Sequence, residues 1–299
     1  MLRRMKKASQ EQNESKSPAR GTPTADPKAP RAVRVIAITS GKGGVGKTNI
    51  ATNLAYHLSQ MKRKTLVLDA DMGLANIDVI LGIAPKHNLY HVLRGEKTIG
   101  EVIVDGPGGM KILPATSGIQ EMADLSRGEK LALLDELDGL GTELDFLLID
   151  TAAGIAGNVI YFNVAAREII VVVSPEPTSI TDAYALIKIL YSNYGEKRFM
   201  LLVNMVKHSS EAREVFQKLS NATSHFLNLT IEYLGYVLED EKVPESVRRQ
   251  KAFAEIYPES RASKCLQSIA RKLCKLPSEF SDAGSLKFFW KSIVEKERR

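Results

Sequence analysis

The stretch VRVIAITSGKGGVGKT occupies residues 33–48 and joins a β-branched apolar run to a glycine-rich loop. A helical pattern follows, so the GxxxxGK[ST] pattern lies between a predicted strand and a predicted helix, which is the context its chemistry requires. Glycines let backbone N–H groups converge on phosphate oxygens, and the helix adds its positive end. We therefore predict a nucleotide phosphate site made of Gly41, Lys42, Gly43, Gly44, Val45, Gly46, Lys47, Thr48 and Asn49.

Similar apolar runs recur along the chain, separated by about 25–45 residues that include helical patterns. These runs are residues 33–39, 65–69, 110–115, 145–150, 168–174, 198–204 and 231–237. Strands that are apolar on both faces predict a parallel sheet covered by helices on both sides. The predicted fold is therefore an α/β, doubly wound, mostly parallel sheet, formed by one domain over residues 32–276.

The two ends of the chain differ from this domain in composition. Residues 1–34 hold nine Lys or Arg against three Asp or Glu, and residues 261–299 hold ten against four. Residues 8–30 contain four prolines and no aromatic or large aliphatic side chain, so we predict a disordered basic tail over 1–31. Basic ends favour anionic partners, although charge that serves only solubility stays open for the N-terminal tail.

Two predicted strands carry acids at their carboxyl ends. Asp69 and Asp71 close the run TLVLDAD, and Asp150 closes the run DFLLID. An apolar strand that ends in an acid is the form that holds Mg²⁺ through water in phosphate-binding proteins, while the loop lysine reaches the β- and γ-phosphates. With the hydroxyl of Thr48, Asp150 therefore predicts a Mg²⁺ site, and the roles of Asp69 and Asp71 depend on the resemblance described next.

The loop has a second lysine, Lys42, and its form KGGVGKT resembles the deviant Walker A loop of the MinD/ParA ATPases. This resemblance implies a MinD-like P-loop fold and a slow, Mg-dependent ATPase that forms a homodimer with ATP. It implies that Lys42 reaches the partner subunit's phosphates and that Asn204 reads adenine. It also implies that Asp71 orients the attacking water, while Asp69 joins Thr48 and Asp150 in the Mg²⁺ site and supports the loop. An ordinary capping role at a strand end stays open for Asn204.

Longer stretches resemble one branch of that family, the FlhG/FleN flagellar-number regulators. They include GLANIDVILG (73–82), SPEPTSITDAYALIKIL (174–190) and VPESVRRQKAFAEIYPES (243–260). The resemblance implies control of flagellar number or placement, with an FlhF-type GTPase, a flagellar switch-complex protein or a flagellar transcriptional activator as partner. The N-terminal segment lacks the DQAxxLR-type signature that some relatives carry.

Residues 277–299 form a predicted linker and amphipathic helix. Leu286, Phe289, Trp290 and Ile293 share one side of that helix, and lysines lie on the other. This pattern fits an interfacial membrane anchor, as relatives in the superfamily have, or a helix packed on a protein surface. With no apolar run of membrane-spanning length, we expect a cytoplasmic protein that binds lipid reversibly at the inner face of the cytoplasmic membrane.

The sequence argues against two other classes of the superfamily and leaves three open. An iron–sulfur carrier needs paired cysteines at another spacing than Cys265 and Cys274, and a tyrosine autokinase needs tyrosines beyond Tyr257. A division-site MinD, a partition ParA and a nucleotide-gated transcriptional antagonist with incidental hydrolysis stay open. No sequence-specific nucleic-acid binding is expected. His87 and His91 lie four residues apart, a spacing that could suggest a metal site. We expect Asn88 to begin a helix that leaves His87 outside, so the two side chains would not share a helix face.

Overall fold

The computed structural model describes residues 33–71, 76–114, 144–166 and 168–276. The predicted tail over 1–31 and the predicted linker and helix over 277–299 lie outside the described residues. The same is true of the proposed membrane-facing residues of that helix, which are Leu286, Phe289, Trp290 and Ile293. Within the described part of the chain, no helix combines the length and the apolar character needed to cross a bilayer.

The described residues form an eight-stranded sheet in the order β3-β4-β2-β5-β1-β6-β7-β8. Every neighbouring pair is parallel except β3 and β4. The strands are β1 (Arg34–Ser40), β2 (Thr65–Ala70), β3 (Val104–Asp105), β4 (Lys111–Pro114), β5 (Phe146–Ala153), β6 (Glu168–Val173), β7 (Phe199–Val206) and β8 (Glu232–Leu238). The prediction of a doubly wound, mostly parallel sheet is confirmed.

Three strand predictions need correction. The two-residue strand β3 was not predicted, because so short an edge strand has no hydrophobic pattern of its own. Strand β5 continues three residues beyond Asp150, since β1 pairs with it as far as Ala153. Strand β7 likewise continues beyond Asn204 to Val206, with an irregular register against β8 near that point. Both polar residues therefore lie within strands and not at their last positions.

Helices cover both faces of the sheet. The described helices are α1 (Lys47–Gln60), α2 (Ile77–Leu81), α3 (Leu89–Leu93), α4 (Ile99–Val102), α5 (Gly157–Ala166), α6 (Pro177–Tyr194), α7 (Ser209–Leu227), α8 (Lys242–Arg248), α9 (Phe253–Ile256) and α10 (Arg261–Lys275). Helices α1, α2, α9 and α10 pack on one face, and α3 to α7 pack on the other. Alternate residues of the central strands enter the two cores, which explains why those strands are apolar at every position.

Local sequence signals account for several helix ends. Helix α6 begins with Pro177 at its first position, where a missing N–H costs nothing, and ends before Gly195 in the left-handed conformation. Helix α3 begins after Asn88, whose side chain accepts a hydrogen bond from the Tyr90 backbone, so the predicted cap is confirmed. His91 contributes to the same cap, because the backbone N–H of Asn88 donates to its Nδ1 at 3.3 Å.

Candidate nucleotide-binding site

The glycine-rich loop lies between the carboxyl end of β1 and the first turn of α1, where it turns sharply. Gly46 precedes α1 with a φ of 87°, a conformation that side chains rarely adopt. A Cβ atom at Gly46 would lie 2.5 Å from Nδ2 of Asn204, so the position also lacks room for one. Glycine is therefore required here by both the backbone and its neighbour.

The start of the loop is pinned against helix α6. A Cβ atom on Gly41 would meet the backbone carbonyl of Asp182 at 2.2 Å and the nitrogen of Ala183 at 2.7 Å. The hydroxyl of Ser40 donates to the carbonyl oxygen of Lys42 at 2.7 Å, and the N–H of Gly154 donates to the carbonyl of Ser40 at 2.9 Å. The loop is thus tied to α6 and to the segment that follows Asp150.

Lys47 is the buried cation of this site. Only 8% of the residue is exposed, and burial lowers the pKa of its ammonium group, while Asp150 and Asp71 oppose that shift. A buried ammonium between carboxylates and an open loop is ready to bind a phosphate, which would replace the lost hydration with opposite charge. The structure thus brings Lys47 together with two of the three predicted acids.

Asp150 lies directly beneath the loop and is almost fully buried. Neither of its carboxylate oxygens accepts a hydrogen bond of normal geometry from the described residues, although the Thr48 hydroxyl is close enough to favour the charged form. Burial raises the pKa of Asp150 to about 7. One carboxylate with both oxygens unpartnered beside a threonine hydroxyl fits a hydrated Mg²⁺ ion, which keeps several waters and binds through few protein ligands.

Asp69 and Asp71 take different positions at the end of β2. Asp69 is buried, and its carboxylate accepts hydrogen bonds from the N–H groups of Asp71 at 3.2 Å and Ile77 at 3.3 Å. Burial raises the pKa of Asp69 to about 6, against the effect of these bonds. Asp71 is half-buried at the edge of the described residues. Asp69 therefore supports the chain around Asp71, and Asp71 is the more accessible carboxylate.

A cavity of about 940 Å³ opens beside the loop, on the side away from β2. Its lining includes Asn49 and Asn204 from the predicted site, and Met205, Pro244 and Phe253, which had no predicted role. The buried Oδ1 of Asn49 has no hydrogen-bond partner among the described residues. The size and the mixture of apolar walls with a few polar groups suit an aromatic base.

Asn204 has one contact that the sequence did not predict. Its Nδ2 atom donates to the carbonyl oxygen of Val45 at 2.8 Å, so it holds the phosphate loop from the neighbouring strand. Met205 follows it with a φ of 60° and a side chain that is 42% exposed. A left-handed conformation in a residue other than glycine is a recognised mark of functional sites, but no sequence signal announces it.

The side chain of Lys42 contacts the start of helix α6. Its ammonium group forms an ion pair with Glu176 and donates to the hydroxyl of Thr178 at 2.9 Å. Glu176 and Thr178 lie at the start of α6, within the stretch SPEPTSITDAYALIKIL. That stretch identified a family branch, but the sequence assigned no role to either residue, since only the tertiary contact reveals it.

The chain is similar in sequence and in fold to several known proteins. A family model described as an AAA domain matches residues 33–201. The antiactivator FleN of Pseudomonas aeruginosa is 44% identical over 263 residues, which cover 88% of this chain and 94% of FleN. The flagellum site-determining protein YlxH of Helicobacter pylori is 37% identical, over 88% of this chain and 90% of YlxH. The MinD cell division protein of Aquifex aeolicus matches with a TM-score of 0.64 and 27% identity, over 82% of this chain and 98% of that one.

Proposed function

Since the chain belongs to the FlhG/FleN flagellar-number branch of the MinD/ParA ATPases, we propose that it is an ATP-driven dimerisation switch controlling flagellar number or placement. It is a P-loop ATPase that works with ATP and Mg²⁺. The observation that carries the proposal is the pair of lysines in one loop. Lys47 is buried beside the acids, whereas Lys42 is tied to α6 at the surface.

Each residue of the site has a distinct task in this proposal. The loop N–H groups and Lys47 bind the β- and γ-phosphates, and the cavity lined by Asn49 and Asn204 takes the adenine. Thr48, Asp69 and Asp150 would hold a hydrated Mg²⁺ ion, partly through water, and the ion would supply positive charge beside the phosphoryl group. Asp71 orients the attacking water, and Asp69 keeps Asp71 in place through its backbone N–H.

Dimerisation completes the site by supplying Lys42 from the partner subunit. A lysine delivered across an interface places positive charge on the reacting oxygens only when two ATP-loaded subunits face each other. Hydrolysis then removes the γ-phosphate that the lysine contacts, and the dimer separates. In the monomer, the ion pair with Glu176 holds this lysine until the partner arrives.

The output of the switch is binding and not a chemical product. FleN is named an antiactivator and YlxH a flagellum site-determining protein. We propose that the ATP-bound dimer of this chain contacts one of three partners, namely an FlhF-type GTPase, a flagellar switch-complex protein or a flagellar transcriptional activator. The basic tail over 1–31 is proposed to contact such a partner. The terminal segment over 277–299, with Trp290 on its apolar side, is proposed to attach the dimer to membrane lipid.

Two alanine variants separate nucleotide binding from dimerisation. Lys47→Ala should abolish ATP binding in calorimetry, because the loop would lose its only buried cation. Lys42→Ala should bind ATP normally, yet light scattering should show no ATP-dependent dimer and hydrolysis should stop. A Lys42→Ala protein that dimerises and hydrolyses like the parent would remove the trans lysine from the proposal.

Counting flagella in a deletion strain tests the biological output. We expect a changed number or position of flagella per cell, restored by the parent gene and not by the Lys47→Ala gene. An unchanged count and position would instead support a division-site or partition role, which the nucleotide residues alone also allow.

A further inference from the structure

Helix α10 has a one-sided distribution of charge. Its sequence RASKCLQSIARKLCK contains five basic residues and no acid. The apolar side, which includes Leu266 and Leu273, is buried, whereas Arg271 and Lys275 are exposed. Within the described ranges, neither of these two cations has a carboxylate at ion-pair distance. The final turns of α10 therefore present positive charge to the surroundings.

The tertiary structure adds a second basic group at the same end of the sheet. Helix α1 is followed by the turn Lys62-Arg63-Lys64, which leads into β2. The carbonyl oxygen of Lys64 accepts a hydrogen bond from the N–H of Asp145 at 2.8 Å, and the carbonyl of Asp145 accepts one from the N–H of Arg34 at 3.0 Å. The guanidinium of Arg34 in turn donates to the carbonyl oxygen of Leu273 in α10.

Two acids close to Arg34 and Arg63 are already engaged within the domain. Glu168 accepts from Nε of Arg34 at 3.0 Å, and this pair is largely buried. Asp145 accepts from the guanidinium of Arg63 at 3.3 Å and from the backbone N–H of Lys64 at 2.9 Å. These two acids are therefore engaged by Arg34, Arg63 and the backbone of Lys64, and they do not pair with Lys62, Arg271 or Lys275.

We define the basic end as Lys62, Arg271 and Lys275, and we propose that it binds the anionic phospholipid headgroups of a membrane. It lies at the amino ends of β1, β2 and β5, opposite the nucleotide site, so lipid contact leaves that site open. Leu276, the last described residue, also lies at this end. The segment that follows it in the sequence contains Trp290, which is predicted to enter the membrane interface.

The proposal rests on the proposed membrane attachment and makes it dependent on lipid charge. Each basic residue held near an anionic leaflet raises membrane partition by about fivefold at physiological salt, which is too little for stable binding by one residue. When an apolar anchor in the same chain has already bound the membrane, the basic end meets the lipid at a high effective concentration. The two contacts together therefore bind more tightly than either one alone. The basic end should thus add to any preference for anionic membranes that the lysines of the predicted terminal helix provide.

The test uses the full chain with ATP and Mg²⁺ in vesicle sedimentation. Vesicles of phosphatidylcholine alone are compared with vesicles that also contain phosphatidylglycerol. Arg271→Glu with Lys275→Glu should lower binding to the anionic vesicles by at least about tenfold and leave hydrolysis without vesicles unchanged. A matched control, Lys188→Glu with Lys218→Glu on the exposed surfaces of α6 and α7, should bind the anionic vesicles as the parent does. Added salt should weaken vesicle binding by the parent more than vesicle binding by Arg271→Glu with Lys275→Glu.

Several outcomes would overturn the basic end as a lipid surface. These are undiminished binding by Arg271→Glu with Lys275→Glu, an equal loss in the Lys188 and Lys218 control, or binding by the parent to duplex DNA but not to anionic vesicles. Trp290→Glu distinguishes this failure from failure of the terminal anchor, since it should weaken binding to both kinds of vesicle. A parent that binds neither kind would refute the anchor and the basic end together, and thermal melting of each variant verifies that it is folded.

Discussion

The ammonium group of Lys42 is paired with the carboxylate of Glu176, a residue 134 positions later at the start of helix α6. The pair is exposed, with 36% of the Lys42 side chain and 61% of the Glu176 side chain accessible. Exposed pairs contribute little to stability, typically up to about 1 kcal/mol. A contact of that strength can hold a lysine in one position and still release it when a stronger partner, such as a phosphate, becomes available.

Removing the charge of Glu176 should therefore make dimerisation easier. For Glu176→Gln we expect ATP-dependent dimers at a protein concentration up to about fivefold lower than for the parent, because Lys42 no longer has to leave an ion pair. Light scattering over a concentration series measures this shift. Glu232→Gln, a change at an exposed position of β8, is the control. Weaker dimerisation of Glu176→Gln would mean that Glu176 supports Lys42 in the dimer.

The close approach of Gly41 to α6 predicts a strong effect of one methyl group. Gly41→Ala would place Cβ within 2.2 Å of the Asp182 backbone, so loop or helix must move. We expect a loss of about 1–3 kcal/mol in unfolding free energy and a large loss of ATP affinity. Gly43→Ala is the matched control, since its Cβ would meet only Ala153 at 4.0 Å and should leave stability without nucleotide unchanged. Equal stability of both variants in urea unfolding would contradict the packing at Gly41.

Asp71 should affect hydrolysis and not binding. Asp71→Ala is expected to keep ATP affinity, slow turnover by about 10²-fold or more and accumulate the ATP dimer, since dimerisation precedes the step that Asp71 serves. Calorimetry, phosphate release and light scattering together measure these three properties. Asp105→Ala, at the exposed sheet edge, should change none of them. Turnover at the parental rate would assign the attacking water to another group.

The raised pKa of Asp150 predicts a pH-dependent stability difference. The pKa of Asp150 is about 7 in the folded protein and 3.8 in the unfolded chain. Ionisation of Asp150 therefore lowers the free energy of unfolding. This loss is complete above pH 7 and disappears as the pH falls toward 4. Without Mg-ATP, Asp150→Asn should be more stable than the parent at pH 8, by up to about 4 kcal/mol for a pKa shift of this size, and this advantage should disappear near pH 4. Unfolding in urea at several pH values measures the difference.

The stability of the parent also changes with the protonation of His57. The effect of Asp150 is therefore measured as the difference in unfolding free energy between the parent and Asp150→Asn. Burial lowers the pKa of His57 to about 4, so its contribution to stability is lost as the pH falls below 6.5, opposite in sign to that of Asp150. Because both proteins contain His57, its contribution to the unfolding free energy cancels in the difference between the parent and Asp150→Asn. Mg-ATP should stabilise the parent and not the variant. An advantage of Asp150→Asn that does not change with pH would contradict the raised pKa of Asp150.

Asn204 should have two separable effects on nucleotide binding. Asn204→Ala removes the hydrogen bond to Val45, which should weaken the binding of any nucleoside triphosphate because the loop loses a support. If Asn204 also reads adenine, the preference for ATP over GTP should fall as well. Calorimetry with both nucleotides measures each effect, and we expect both. An equal loss for ATP and GTP would leave Asn204 with the structural role only.

The sequence alone predicted the elements whose signals are local. The apolar runs identified seven of the eight strands to within a few residues, because strands buried on both faces need β-branched or aliphatic residues at every position. The phosphate loop was predicted for the same reason, since its glycines and lysines are consecutive and their chemistry depends on the backbone of one turn. The run TLVLDAD placed Asp69 and Asp71 correctly at the end of β2, whereas the predicted end of β5 at Asp150 was three residues too early.

Only the tertiary structure decided the contacts between distant segments. Lys42 and Glu176, Asn204 and Val45, and the basic residues at the ends of α1 and α10 are each brought together by strand order and helix packing. No periodicity within one segment records such a contact, because its energy depends on two surfaces that the chain joins only after folding. The extension of β5 beyond Asp150 has the same cause, since neighbouring strands and not local propensity determine where pairing ends.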